Sequence, residues 1–155
     1  MRTVNISKKG TSFCPAEEIG RQARLVFQRL ADRNFFRGLP HAAFVDEIVD
    51  FYCTTNMLHP FREGNGRAQR AFLTQLIRAA GYDINWAEVD TDLLMFATMQ
   101  SANGVADLLK KILSDAIRLR KTYSFPELSL SKSPSHRSAH EIVLPQAVTS
   151  IKTGI

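Results

Sequence analysis

Apolar residues recur at three- and four-residue spacing through most of the first 121 positions, which predicts a helical protein. Ile19, Ala23, Val26, Phe27 and Leu30 give one apolar face to a helix over 15–31, with Pro15 at its start and Glu17 and Glu18 at its positive end. Asn34 to Pro40 is a connection with two breakers, in which Phe35 and Phe36 read as core plugs. A second helix over 41–57 carries Phe44, Val45, Ile48, Tyr52 and Thr55 on one face, and His41 reads as a capping or surface residue. The third, 67–80, carries Phe72, Leu73, Leu76 and Ile77 inward and stops at Gly81. Trp86, Leu93, Leu94, Phe96 and Met99 mark a fourth helical stretch with Asp90 or Thr91 as an internal cap, broken at Gln100 to Gly104. A fifth, 105–121, turns Leu108, Leu109, Ile112, Leu113 and Ile117 inward and Lys110, Lys111, Arg118, Arg120 and Lys121 outward.

Residues 3–13 alternate weakly around a Lys9-Gly10 turn, which predicts a short β-hairpin; an ordinary N-terminal loop fits the same residues. Two isolated strands are marginal in water, so such a hairpin must lean on the helices. After Tyr123 the chain becomes rich in Ser and Pro, and 122–155 reads as a disordered or partner-binding tail. Glu141 to Pro145 would form a strand or a partner-binding segment there, and His136 and His140 lack the Cys or Asp cluster that zinc requires. The expected architecture is therefore all-α, one domain over 1–121 with an N-terminal hairpin and a separate tail.

Composition narrows the function classes. With 155 residues, 45% of them hydrophobic, there is one core and no second domain. The 20 Lys and Arg against 15 Asp and Glu give +5, a basic solvated surface that also suits a polyanion-binding enzyme and does not require nucleic acid. Cys14 and Cys53 have no metal or redox spacing and read as reduced thiols. No apolar run reaches membrane-spanning length and the N-terminus lacks a signal peptide's apolar core, so we expect a cytoplasmic protein, or a secreted effector if the tail is a transport signal.

The chemistry concentrates in His59-Pro60-Phe61-Arg62-Glu63-Gly64-Asn65-Gly66-Arg67, with Arg70 one turn on. Gly64 and Gly66 around Asn65 let successive backbone N–H groups turn toward an anion, at the start of a helix whose dipole also favours negative charge. Arg67 and Arg70 share a helix face and match phosphate oxygens. Glu63 offers the hard oxygen ligand that Mg²⁺ takes beside phosphates. His59 is the side chain whose free pKa lies nearest neutrality, as a general base requires.

This string resembles the Fic-domain signature, His-x-Phe-x-(Asp/Glu)-Gly-Asn-Gly-Arg with a second arginine three residues later, and every fixed position is matched. The resemblance implies a Fic-type protein adenylyltransferase that moves AMP from ATP to a Ser, Thr or Tyr hydroxyl of a target protein. On that basis His59 would deprotonate the acceptor, Glu63 hold Mg²⁺, and Gly64, Asn65 and Gly66 cradle the α- and β-phosphates. Arg67 would bind the β/γ end, Arg70 the γ-phosphate, and Phe61 would be the loop's buried anchor. Doc-type kinases of the same superfamily have lysine where Gly66 stands, which favours adenylyl transfer over phosphorylation, although phosphocholine transfer also occurs on this fold. Ser7, Lys8, Lys9, Gly10 and Thr11 correspond to a flap that pairs with the target backbone. Met99, Gln100 and Asn103 correspond to the region of the adenine.

Fic domains ordinarily place helices before the flap, so the chain reads as a fragment or a shortened member, and a catalytically impaired relic that only binds a partner is the competing reading. The family's inhibitory helix has the pattern (Ser/Thr)-x-x-x-Glu-(Gly/Asn), which none of the glutamates here satisfies. The inhibitory helix would then come from a separate antitoxin or from a missing N-terminal part. Toxins of that branch modify type II topoisomerases, which makes this class a candidate target.

Overall fold

The computed structural model describes residues 1–8 and 10–120. The tail residues from 121 onward and Lys9 lie outside the described residues, as do the readings made of them above. Chain order is β1 (Ser7–Lys8), β2 (Thr11–Ser12), α1 (Ile19–Asp32), α2 (His41–Leu58), α3 (Asn65–Ala79), β3 (Tyr82–Ile84), α4 (Thr91–Ala102), α5 (Asp107–Ala116) and β4 (Ile117–Leu119). The mostly helical expectation holds, with two short antiparallel strand pairs, β1 with β2 and β3 with β4.

α2 is the axis of the domain. Phe44, Val45, Ile48, Val49, Phe51 and Tyr52 are all buried, and α2 contacts α1, α3, α4 and α5. Leu73, Leu76 and Ile77 of α3, Leu94 and Ala97 of α4, and Leu109 and Leu113 of α5 complete one continuous core. Full burial of side chains of this size contributes about 1.5–3 kcal/mol each. The helix that carries the histidine into the loop is thus the most firmly held element.

Several boundaries moved, each for a tertiary or capping reason. α1 begins at Ile19 rather than 15, because Glu18 N–H still bonds the Pro15 carbonyl in a preceding turn (3.0 Å). The fourth stretch divides: Trp86–Glu88 is a single 3₁₀ turn, and α4 starts only where Asp90 Oδ1 accepts from the N–H groups of Asp92 and Leu93, both at 2.9 Å. The fifth helix ends at Ala116, and Ile117 to Leu119 become a strand rather than helix. The edge of β3 supplies partners in the register Ile84↔Ile117 and Tyr82↔Leu119, and His41 Nε2 donates to the Ile117 carbonyl at 2.9 Å. His41 is therefore a tertiary tie rather than a surface cap.

The aromatic plugs also need correction. Phe36 is buried, but Phe35 is exposed under the Arg37 guanidinium, 5.6 Å from its ring centroid. Phe27 and Phe72, placed in the core by their spacing, and Phe61, which the resemblance made the loop's buried anchor, are 42%, 38% and 42% exposed. They line an apolar groove of about 360 Å³ instead, with Phe27 and Phe72 edge-to-face at 5.4 Å.

Candidate active site

Pro60 disfavours helical backbone at the residue before it, so α2 must end at His59. There the chain enters the left-handed region, φ 40° and ψ 59°, a conformation that costs a non-glycine residue about 1–2 kcal/mol and that surrounding contacts must hold. Those contacts are specific. His59 Nδ1 lies 3.3 Å from the Asn56 carbonyl, which can only accept, so Nδ1 carries the proton and Nε2 keeps its lone pair. Phe13 stacks on the imidazole with centroids 3.8 Å apart and planes at 19°. The half-buried imidazole has its pKa pushed below the ordinary value, first by burial, then by the nearby charges of Arg2 and Lys8, with the Asn56 carbonyl opposing. A histidine held neutral near neutral pH is poised to accept a proton.

The loop then turns at Gly64, whose φ of +80° suits glycine, and α3 starts at Asn65, two residues earlier than its apolar pattern suggests. Consequently the anion nest is the first turn itself. Ala68 N–H makes the first ladder bond, to Gly64 O at 2.9 Å, leaving the N–H groups of Asn65, Gly66 and Arg67 without intrahelical acceptors. The side chain of Asn65 closes the loop: Oδ1 accepts from Phe61 N–H at 2.9 Å and Nδ2 donates to Phe61 O at 2.7 Å. Its contribution toward a phosphate is accordingly its backbone.

Both arginines fold back over this turn. A Cβ at Gly64 would lie 3.4 Å from Arg67 Nη2, and one at Gly66 3.6 Å from Arg70 Nη1. Neither arginine enters an ion pair among the described residues, whereas Arg21, Arg29, Arg33, Arg78, Lys110, Lys111 and Arg118 do. Gln69 fixes α3 on α2, its Nε2 donating to Tyr52 O at 2.7 Å and Thr55 Oγ1 at 2.8 Å.

A cavity of about 220 Å³ gathers part of this set, lined by His59, Gly66 and Arg70 but not by Gly64, Asn65 or Arg67, by Lys8 and Thr11 from the hairpin, and by Leu94, Met95, Thr98 and Met99 along α4. Among the described residues no carboxylate lines it. Its basic and imidazole groups face an apolar wall, an arrangement suited to a ligand with a flat apolar part and an anionic part. Of the three adenine-region residues, Met99 is in that wall; Asn103 is exposed at the end of α4, its Nδ2 donating to Met99 O at 3.3 Å, and Gln100 is not in the lining. Met95 and Thr98 were missed, although Met95 lies four residues before Met99 and three before Thr98, a helical spacing that puts it beside both. Ser7 and Gly10 are exposed beside Lys8 and Thr11 in the hairpin.

Glu63 is exposed and enters no ion pair among the described residues, where no cluster of three or more His, Cys, Asp or Glu side chains could enclose a metal either. A single carboxylate beside a phosphate nest fits Mg²⁺, which keeps several waters and arrives with phosphates.

Comparison with known proteins bears on the family and the fold. The Fic/DOC family profile matches residues 1–77. A Salmonella typhimurium protein named "Probable protein adenylyltransferase Fic" is 35% identical over 117 residues, 76% of this chain and 58% of that protein. Protein adenylyltransferase VbhT of Bartonella schoenbuchensis is 37% identical over 112 residues, 72% of this chain and 23% of that protein. The chain thus spans little more than half the length of the first of these relatives and under a quarter of the second. Among solved structures, the Bartonella tribocorum effector BepC with bound AMPPNP superposes with a TM-score of 0.74 at 26% identity, covering 77% of this chain and 59% of that one. The N-terminal Fic domain of a Bartonella quintana effector with bound ADP gives 0.74 at 27% identity, covering 77% and 57%.

Proposed function

The chain belongs to the Fic/DOC family, and from that premise we propose that it is a protein adenylyltransferase, moving AMP from ATP to a hydroxyl side chain of a target protein. The observation that carries the proposal is the convergence of a proton-accepting His59, Gly66 in the first turn of α3 and Arg70 on one cavity that no carboxylate among the described residues lines. The acceptor oxygen forms a bond to the α-phosphorus, the bond from that phosphorus to the pyrophosphate oxygen breaks, and the hydroxyl proton passes to His59 Nε2. The amides of Asn65, Gly66 and Arg67 hold the phosphates in place before reaction, so no reorganisation is needed as charge shifts to the leaving group. Arg67 and Arg70 orient the β/γ end so that the α-phosphorus faces the base. Glu63 and the phosphates would hold Mg²⁺, which supplies charge neutralisation. Met95, Thr98 and Met99 offer the apolar wall for the base of the nucleotide, and β2's exposed edge offers backbone groups to an extended target segment.

Incubating the protein with a cell lysate and α-labelled ATP tests this. A labelled protein band is expected, and label from γ-labelled ATP alone would point to phosphoryl transfer instead.

Two finer proposals rest on the family resemblance. An inhibitory helix is supplied by a separate small antitoxin polypeptide, and the target is an intracellular protein of the type II topoisomerase class. Co-expression with a neighbouring small open reading frame should suppress labelling; unchanged labelling removes the antitoxin proposal. The two solved Bartonella structures named above, both described as VirB-translocated effectors, favour a second reading, delivery of the enzyme into another cell. Fractionation of host cells after contact with cells that produce the protein would decide it.

A further inference from the structure

Arg2 is the one buried charged or polar residue among the described residues, at 4% exposure. It has no carboxylate partner there; its guanidinium is spent on backbone carbonyls. Nε donates to His59 O at 2.9 Å, Nη1 to Val4 O at 2.8 Å, and Nη2 to Cys14 O. Its own backbone N–H bonds Pro60 O at 2.8 Å. Val4 and Cys14 stand on either side of the β1–β2 hairpin, and Cys14 N–H in turn bonds Met57 O in the last turn of α2 at 2.9 Å. A buried charge is costly unless it is hydrogen-bonded, and three charge-assisted bonds in a planar fork are what a guanidinium can offer and an ammonium cannot.

We propose that Arg2 is a positioning residue: it ties both feet of the hairpin to the carbonyl of His59, so that the edge presented to a target and the imidazole are held at one fixed separation. This rests on the role of His59 as base. The left-handed backbone of His59 needs external restraint, and Arg2 grips the carbonyl on one side of the Pro60 peptide nitrogen while its N–H takes the carbonyl on the other. Phe13, drawn in by the same cluster, stacks on the ring that the base uses. Arg2 also adds positive charge near the imidazole, as Lys8 does from β1, which keeps the ring neutral. A misplacement of about 1 Å at a reacting group can cost on the order of 10²-fold in rate, so this separation matters to transfer.

The test compares the full chain with its Arg2→Lys and Arg2→Met variants by NMR of the His59 imidazole, with Phe13→Leu marking the resonance positions without the stacked ring. Both Arg2 variants should shift the His59 resonances toward the Phe13→Leu positions, retain Mg-ATP affinity by calorimetry, and label protein from α-labelled ATP on the order of 10²-fold more slowly. A folded Arg2→Met protein whose His59 resonances coincide with those of the parent overturns the proposal, and so does a displaced imidazole that labels at the parental rate. If Arg2→Met does not fold, Arg2→Lys, which keeps the charge and loses the fork, decides in the same way. A parent that labels nothing sinks the adenylyl-transfer reading alone, because the resonance comparison needs no acceptor.

Discussion

The start of α3 has a different cavity on each of two faces. Gly66 and Arg70 line the smaller one, about 220 Å³, with His59 and Lys8; Asn65, Ala68 and Phe72 line the larger one, about 360 Å³, with Phe27, Phe51 and Phe61. Asn56 and Gln69 belong to both walls. The larger cavity is almost wholly apolar and is lined by no titratable side chain among the described residues, while the smaller has a depressed imidazole and an arginine free of any ion pair among those residues. Size and apolarity alone would select the wrong face. Reaction at neutral pH needs a base and charge stabilisation, and only one face has them.

The contrast can be broken most sharply at the base. His59→Ala should slow transfer on the order of 10²- to 10⁴-fold while Mg-ATP binding persists in calorimetry; parental labelling by this variant would strip the smaller cavity of its proposed chemistry. Next comes the turn between the two faces. Gly64→Ala places a Cβ at φ +80° and 3.4 Å from Arg67 Nη2. It should cost about 1–2 kcal/mol in urea unfolding and weaken nucleotide binding, because the strained residue precedes the anion-binding amides. Unchanged stability and binding would mean the turn is not held as described. On the apolar side, Phe27→Ala removes aromatic pairs with Phe51 and Phe72 and should lower stability by about 1 kcal/mol with no change in Mg-ATP affinity. Loss of nucleotide binding there would show that the two faces work as one.

The smallest expected effect is pH-dependent. Since the folded pKa of His59 is depressed, the base stays neutral and transfer survives to a pH below the ordinary imidazole value. The linked stability has the corresponding sign. It is fully present above the unfolded imidazole pKa and is lost as pH falls from there through the depressed folded value, because the unfolded chain takes up the proton first. His59→Gln should flatten the slope of stability against pH in that window, and an identical slope would assign it to other groups.

The helices and the loop between α2 and α3 were legible because they are local. Three- and four-residue periodicity encodes which face is apolar, and Pro60 and Gly64 encode where the backbone must turn, without reference to distant residues. What periodicity could not say is whether another element covers the face. Phe27 and Phe72 carry the same apolar signal as Phe44 and Leu73, but only the latter two meet partners that bury them. The Ile117–Leu119 strand likewise exists because β3 lies beside it, against a helical pattern that runs straight on.

The contact furthest from view in the sequence was Arg2 with His59, 57 positions apart. An N-terminal arginine has no local pattern that marks it as buried; three carbonyls brought together by folding make it so. The residue string therefore determined which groups are present for chemistry and on which helix ends they sit. Tertiary structure decided which cavity the imidazole faces and what holds it there, because those depend on burial and on bonds between segments that meet only in the folded chain.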